Sequence, residues 1–594
     1  MTSSDLPRWP NLVEMFFDQA ARLGDAPLLF HKAGGRWTSR SWRETAEAVA
    51  SLAAGLRAIG VQPGDRVAIV SENRPEWAIA DLGTMAAGAV SVPTYTTNTV
   101  RDHLHILADS GARAAIVSTA KLATALVPAA LQSTHCRDVI GIEPIRSGQS
   151  DGIAYHHFDA LIAANAPDVA AVRRAATARR DDLCCIIYTS GTGGAPRGVR
   201  FHHGMILHGA QGARDIIVED FPVSPDRFLS FLPLSHSYEH SAGLYLPLAH
   251  GAQIWFAESV DKLAANIEEA SPTIMVVVPR LFEVLRTRMI RAIEKKGGIA
   301  PKLLAHAERI EGARAAGRRP GIRDRVLTLL IDRTLRKTAR ARFGGKLKAF
   351  VSGGAPLNPE VGRFFAALGL MLLQGYGQTE SGPIMSCNRP RAKVKMDTVG
   401  PPLRDTQVRI ADDGEILCRG ELVMQGYWNM PADSAAALQD GWLHTGDVGH
   451  IDGDGHIVIT DRKKDIIVLD KGDNIAPQRL QGMLTLQPEI FQAMVYGDRR
   501  PHLVALVVPD PEWAQGWSKA NGAVAGPGEP AFQRALMAAV DRVNRELSTI
   551  EKIRRVSIAD APFTVENEQM TPSLKIRGHV LGRVYGARLD ALYG

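Results

Sequence analysis

The run Tyr188-Thr-Ser-Gly-Thr-Gly-Gly-Ala-Pro-Arg-Gly-Val199 gathers hydroxyls, glycines and one fixed positive charge into a few positions. Thr189, Ser190 and Thr192 offer hydroxyl donors, and Arg197 offers a planar cation. Gly191, Gly193 and Gly194 permit positive φ and let backbone N–H groups approach a ligand. The chemistry this suits is the binding of an oxyanion cluster, phosphate first. It departs from the usual P-loop, which needs a Lys and then Ser or Thr, because Gly198 is followed by Val199. A flexible surface turn has the same composition, so the rest of the chain must decide. Two further polar, glycine-rich stretches are Ser352-Gly-Gly-Ala-Pro356 and Gly375-Tyr-Gly-Gln-Thr-Glu380. His202, His203 and His208 have no cysteine or carboxylate spaced to complete a metal site.

Each of these three stretches follows a short apolar run that reads as a buried strand, at 184–187, 347–351 and 370–373. Ligands bind outside the carboxyl ends of strands in open α/β sheets, so three such loops on one edge predict a nucleotide pocket. Strands at 66–70, 89–92 (closed by Pro93) and 114–117 alternate with helical patterns, among them 11–17 and 42–59, which predicts parallel β-α-β layers. A helix over 201–217 and strands at 228–232, 253–256 and 273–278 continue the series. From about 399 the texture changes to short strands with tight turns, at 414–418, 421–424, 442–447 and 455–460. The charge run Asp461-Arg-Lys-Lys-Asp465 then precedes an α+β unit of domain size, with strands at 466–468, 495–498 and 503–508 and a helix over 530–547. The predicted class is α/β: a large N-terminal domain of layered sheets over 1–461, including a β-rich subdomain from about 399, then a small α+β C-terminal domain over 462–594.

A chain of 594 residues is too long for one core. Hydrophobic content of 45% and charged content of 22% are those of an ordinary globular protein. No apolar run reaches membrane-span length, and the first residues lack a signal pattern. Cys136, Cys184, Cys185, Cys387 and Cys418 are odd in number and without C-x-x-C spacing, which predicts free thiols in a reducing cytoplasm. The net charge of +6 is unevenly placed. Between Arg286 and Lys348 stand 19 Lys/Arg and 5 Asp/Glu, so this insertion carries +14 and the remainder is acidic by 8. Phe343 is its only aromatic, so a nucleic-acid partner is not expected. Its apolar spacing suits amphipathic helices with a basic face. A solvated face, peripheral contact with an anionic inner-membrane surface and contact with an anionic cofactor all remain open.

Several stretches in fixed order carry a resemblance. They are the Tyr188 loop, Leu232-Pro-Leu-Ser-His236, Val278-Pro-Arg280, Gly353-Gly-Ala-Pro356, the Gly375 loop, Thr445-Gly-Asp447, Asp461-Arg-Lys-Lys464 and Thr571-Pro-Ser-Leu-Lys575. Together they resemble the acyl-adenylate-forming superfamily, and most of all bacterial long-chain fatty acyl-CoA synthetases. The resemblance implies an AMP-forming acid–thiol ligase using ATP, Mg²⁺ and CoA. A fatty acid of medium to long chain would be activated as acyl-AMP with release of pyrophosphate, then passed to CoA. It also implies roles. The Tyr188 loop, from Thr189 to Arg197, would hold the β- and γ-phosphates, and Thr379 the α-phosphate. Glu380 would ligate Mg²⁺, with Thr189 assisting. Gly353, Gly354, Ala355 and Pro356 would line the adenine, and Tyr376, among Gly375, Gly377 and Gln378, would stack on it. Asp447 and Arg462 would contact the ribose. Lys575 would bridge the substrate carboxylate and the α-phosphate, and His236 would lie near the carboxylate and the pantetheine path. Lys464 would be the hinge of a mobile C-terminal domain whose rotation carries Gly472 to the pantetheine tunnel.

Three positions depart from the family pattern: Gly193 for Thr, Arg197 for Lys and Gln481 for Glu. Losing one hydroxyl weakens a phosphate contact by about 1 kcal/mol. The gate of the acyl tunnel aligns loosely near His240, which implies a polar or pH-sensitive gate. Of the aromatics Phe231, Tyr238 and Tyr245, some are expected in the tunnel wall and the rest in the core. Other acids (aryl, bile or terpenoid), a carrier-protein acceptor and a degenerate nucleotide-binding scaffold are the competing readings.

Overall fold

The computed structural model describes residues 8–145, 152–189, 196–318, 321–571 and 575–594. Two large sheets carry most of the chain. One has seven strands in the spatial order Ala154–His157, Asp138–Gly141, Ala112–Val117, Arg66–Val70, Val90–Thr94, Leu183–Thr189 and Arg197–His202. All its pairings are parallel except the last. The other has eight strands in the order Ser386–Cys387, Leu372–Tyr376, Ala349–Ser352, Ile274–Val277, Arg227–Ser230, Gln253–Phe256, Pro27–Ala33 and Arg36–Ser41. It is parallel except at its two edge pairings. Parallel strands buried on both faces read as continuous apolar runs, which is why most of the inner strands are visible in the sequence, whereas Asp138–Gly141, Ala154–His157, Arg197–His202 and Ser386–Cys387 had no strand expectation.

The helices Leu12–Leu23, Trp42–Ala58, Pro75–Ala86 and His203–Asp220 join the two sheets into one apolar core. Trp42, Trp77, Phe16, Phe17, Phe201 and Tyr245 are fully buried there. The second of these helices starts at a capping box, with Ser41 and Glu44 exchanging side-chain and backbone bonds. Asp81, on the third, lies 0% exposed and accepts from the Tyr245 hydroxyl at 2.6 Å, with His240 Nε2 at 3.0 Å. A buried carboxylate needs such partners, and the pair fastens the segment after the strand Arg227–Ser230 to that helix.

The β-rich part is a five-stranded sheet in which Trp442–Ile451 pairs with Glu415–Arg419, Leu438–Gln439 and Ile457–Arg462, and Gln407–Ile410 adds to the edge. After it come a two-stranded ribbon and a three-stranded sheet, Ile490–Tyr496, Leu503–Pro509 and Ile553–Ile558, with its own core against the helix Pro530–Asn544. This is the expected α/β class, with large layered N-terminal and smaller C-terminal parts.

Three local expectations change, and one hairpin is new. Residues 421–424 form turns and irregular chain: Glu421 pairs with Arg180 and Met424 N–H bonds the Glu380 carbonyl, so the apolar side chains are buried without a ladder. Phe201 and His202 end a strand, and the helix begins at His203. Pro93 lies inside its strand. The hairpin Pro27–Ala33 and Arg36–Ser41 had no expectation, because its half-buried pattern is not strictly alternating.

Phe350, 1% exposed on the strand Ala349–Ser352, meets the rings of Phe282, Phe343 and Phe365 edge-on at 5.3, 5.1 and 6.2 Å. Phe350→Ala is expected to cost about 3–5 kcal/mol, read as a lower denaturant midpoint.

Candidate active site

The three glycine loops do not share one sheet. Ser352 and Tyr376 end adjacent strands of the eight-stranded sheet, whereas Thr189 ends a strand of the seven-stranded sheet. Apolar runs alone cannot say which sheet a strand joins. Ser190, Gly191, Thr192, Gly193 and Gly194 lie outside the described residues. The ends of their loop are placed. Thr189 Oγ1 is 3.4 Å from the Arg197 carbonyl across the hairpin. The Arg197 guanidinium lies 4.4 Å from the centre of the Tyr427 ring and 3.4 Å from Asp433.

The loops of the eight-stranded sheet line a cleft of about 980 Å³, open mouth included. Gly353, Gly354, Gly375, Tyr376, Gly377, Gln378 and Thr379 form one wall, and His236, Ser237, Tyr238 and Lys575 are also on its surface. Ala355 and Pro356 are exposed and outside this lining. The cleft continues into a recess of apolar side chains, among them Ala213, Ile216, Ala242, Leu246, Val276 and Leu373. Close approach explains two glycines. A Cβ at Gly377 would lie 2.0 Å from the Pro383 carbonyl oxygen, and one at Gly353 would lie 2.8 Å from the Tyr238 ring.

Asp447 organises the polar end. It is 3% exposed, and Oδ2 accepts from the Tyr376 hydroxyl at 2.7 Å and Gln378 Nε2 at 2.6 Å. Oδ1 accepts from Arg462 Nε at 2.7 Å, across the strand pair that sets Asp447 opposite Arg462. Burial works against the Arg462 charge, but Asp447 outweighs it and holds the guanidinium above its ordinary value. Burial and then Asp447 push the Tyr376 hydroxyl well up, so it stays a donor. A carboxylate offers about four lone-pair sites. Three strong protein donors leave about one acceptor position for a ligand hydroxyl.

Lys575 reaches the cleft from the C-terminal part. Burial, and then the Arg462 charge, draw its ammonium down to about 8, although much of its side chain faces the open space of the cleft. His236 is driven down to about 3 by burial and then by Lys575, so it is neutral, and Nδ1 accepts from the Tyr238 N–H at 3.2 Å. Thr379 Oγ1 bonds Ser237 Oγ at 2.9 Å. Glu380 Oε1 accepts from the Tyr427 hydroxyl at 2.9 Å. Ser237 and Tyr427 were not singled out in the sequence. Ser237 adjoins the Leu-Pro-Leu-Ser-His stretch, a usable signal, while nothing marks Tyr427.

Other expected residues fall elsewhere. His240 is absent from the cleft lining: it is 0% exposed and bound to Asp81, so the sequence-based gate position is corrected to a structural histidine. Tyr238 lines the cleft, Tyr245 is core, and Phe231 packs against the second apolar cluster. Lys464 and Gly472 are exposed, Gly472 in a turn at φ 88°. Arg280 bonds Glu283 at 2.8 Å and the Phe491 carbonyl at 2.8 Å, joining the two parts of the chain.

Among the described residues no group of three or more His, Cys, Asp or Glu could hold a metal ion alone. Glu380 and Thr189 are hard oxygen donors that would need further oxygens from a bound phosphate or water, which is the manner in which Mg²⁺ is held in phosphoryl-transfer sites.

Comparison with known proteins agrees in extent. Residues 16–428 match the family model of AMP-binding enzymes, and residues 464–594 match that of the AMP-binding enzyme C-terminal domain. The long-chain-fatty-acid–CoA ligase FadD15 of Mycobacterium tuberculosis is 33% identical, over 98% of this chain and 97% of that protein. The peroxisomal long chain acyl-CoA synthetase 6 of Arabidopsis thaliana is 29% identical, over 91% of this chain and 80% of that one. The fold is that of the adenylation domain of a Mycobacterium chelonae carboxylate reductase, with a TM-score of 0.78 at 22% identity, covering 100% of this chain and 92% of that one. It is also that of O-succinylbenzoate coenzyme A synthetase from Bacillus subtilis, with a TM-score of 0.67 at 20% identity, covering 96% and 98%. By sequence extent and by fold, the chain belongs to the family of AMP-binding enzymes.

Proposed function

We propose that the protein is an AMP-forming ligase that activates a fatty acid of medium to long chain and transfers it to CoA. One observation carries this reading: a lysine, a glycine-walled polar end and an apolar recess share one cleft. The polar end suits a nucleotide, the recess suits an acyl chain, and Lys575 lines the same cleft. Its relatives' names support a fatty acid and CoA as substrates.

In the first half-reaction the acid's carboxylate oxygen attacks the α-phosphorus of ATP, and the bond to pyrophosphate breaks. Both reactants are anions, so the residues neutralise charge more than they move protons. Lys575 in its ammonium form balances the carboxylate and α-phosphate, and Thr379 donates to the α-phosphate from the Ser237 side. Asp447 accepts from the ribose through its remaining lone pair. Thr189 and Arg197 flank the β- and γ-phosphates. Glu380 and Thr189 would hold Mg²⁺ beside the phosphates, where the ion supplies further charge neutralisation. Neutral His236 does not add a like charge beside Lys575. In the second half-reaction the CoA thiolate attacks the acyl carbonyl and AMP leaves. The hinge at Lys464 belongs to this proposal, and the division moves from the expected 461/462 to just before that residue, because Arg462 ends the strand Ile457–Arg462 and Lys463 is paired to the same sheet: rotation withdraws Lys575 and brings Gly472 toward the thiol path.

Lys575→Ala is expected to lower acyl-AMP formation by a factor on the order of 10²–10³, while thioester formation from supplied acyl-AMP stays largely intact. Pyrophosphate release and CoA consumption, measured separately, check this, and loss of both halves together counts against the assignment. Because Lys575 is drawn down to about 8, it loses its charge as pH rises through that value. Adenylation kcat/KM, which reports the free enzyme, should therefore fall above about pH 8, and the limb should be missing from the thioester half. Finally, Ala242 is 3% exposed in the recess wall. Ala242→Phe should move the preferred acid to shorter chains, each lost methylene contact being worth about 1 kcal/mol. A panel of fatty, aryl and polycyclic acids, with and without CoA, reads this out, and an unchanged profile would remove the recess from the acyl path.

A further inference from the structure

The basic insertion contains a helix, Ile322–Ile331, that is apolar on two opposite sides. Leu327 and Ile331 face inward and pack with Leu303, Ala307, Ile310 and Ala367. Ile322, Val326, Leu329 and Leu330 face outward and are 81%, 65%, 55% and 43% exposed. At helical spacing these four fall within an arc of about 100°. Single exposed apolar residues need no explanation, but four in one stripe mark an interaction surface.

The neighbourhood of the stripe selects the partner. Arg323, Arg325, Arg333 and Lys337 are exposed and form no ion pair among the described residues. Asp324, the acidic residue of this helix, is engaged by Arg309. An apolar ridge edged by uncompensated cations is complementary to a surface that offers anions at its face and hydrocarbon beneath. A second protein would have to supply both an apolar groove and a matching acidic rim. A nucleic acid would leave the four apolar side chains in water.

We propose that this helix docks the enzyme on an anionic lipid bilayer. Ile322, Val326, Leu329 and Leu330 enter the boundary between headgroups and acyl chains, and Arg323, Arg325, Arg333 and Lys337 contact the phosphates. The inference rests on the functional reading in one respect: an acid that fits the apolar recess partitions into membranes, so docking places the cleft beside its substrate supply. The helix packs on one side and leaves the other unpartnered, the arrangement of an interfacial amphipathic helix.

The test is co-sedimentation of the full chain with vesicles of phosphatidylcholine, with and without phosphatidylglycerol. The protein is expected to bind the anionic vesicles, to bind the neutral ones weakly, and to be released by salt. Val326→Ser with Leu329→Ser should lower partitioning about tenfold. Arg323→Gln with Arg333→Gln should lower it about fivefold per residue. Pyrophosphate release with a short, water-soluble acid should be unchanged in both variants, which shows that they fold. The proposal is overturned if the wild type does not bind anionic vesicles, or if the Ser variant binds as the wild type does. It is also overturned if light scattering shows a wild-type dimer that the Ser variant dissolves, since a second copy would then cover the stripe, or if DNA retains the wild type and vesicles do not. Vesicle binding without pyrophosphate release from any acid would instead overturn the ligase reading and leave the docking surface standing.

Discussion

The buried Asp447 carboxylate is the interaction on which the site depends. A charge at 3% exposure must be paired and hydrogen-bonded. Its donors come from separate places: Tyr376 ends a strand of the eight-stranded sheet and Gln378 follows it, and Arg462 sits on the neighbouring strand of the β-rich sheet. One anion therefore fixes the β-rich sheet against the loop that carries Thr379. Gln378 strengthens the tie by donating also to the Thr445 carbonyl at 2.7 Å. Replacing any one donor would leave the buried charge short of a partner, a larger cost than the net worth of one hydrogen bond.

The same pair sets the electrostatics of the cleft. Asp447 keeps Arg462 charged, and the Arg462 charge helps draw Lys575 down toward neutrality. Two cations stand near each other at the polar end, and Lys575, the one on the cleft surface, is the one weakened. A bound polyanion would reverse that balance and restore the Lys575 proton. The charge needed for adenylation is thus held less firmly in the free enzyme than it would be with ATP in place. His236 fits this scheme, since burial and Lys575 keep it neutral and it adds no third charge.

How far the site was legible depends on what each signal encodes. Glycine-rich loops after apolar runs report backbone that must turn sharply at the end of a buried strand, and Gly353, Gly375 and Gly377 do line the cleft. Such runs carry no address, so the sheet to which Thr189 belongs was not legible. Partners supplied across long sequence distances were equally hidden: Tyr427 bonds Glu380 from 47 positions away, and Ser237 meets Thr379 from 142. The Glu421-Leu-Val-Met424 run misled because burial there comes from packing and from the Arg180 ion pair, not from a strand ladder. His240 misled for a related reason. A histidine beside a functional stretch looks like a gate until Asp81, 159 positions earlier, is seen to hold it.

The charge run that reads as a linker is divided physically at one residue. Arg462 is held by Asp447, and Lys463 by Asp413 at 2.6 Å and Glu415 at 2.7 Å, so both belong to the β-rich sheet. Asp465 accepts from Gln478 at 2.9 Å and so belongs to the C-terminal part. Lys464 lies between these anchors, exposed and without an ion pair among the described residues. A rotation about this position would break neither set of side-chain contacts, whereas a pivot one residue earlier would cost the Lys463 pairs. That asymmetry supports the proposed hinge. The dense charge of the run is then no mere solvated spacer, because its first two cations clamp the chain to the sheet and leave the third free to turn.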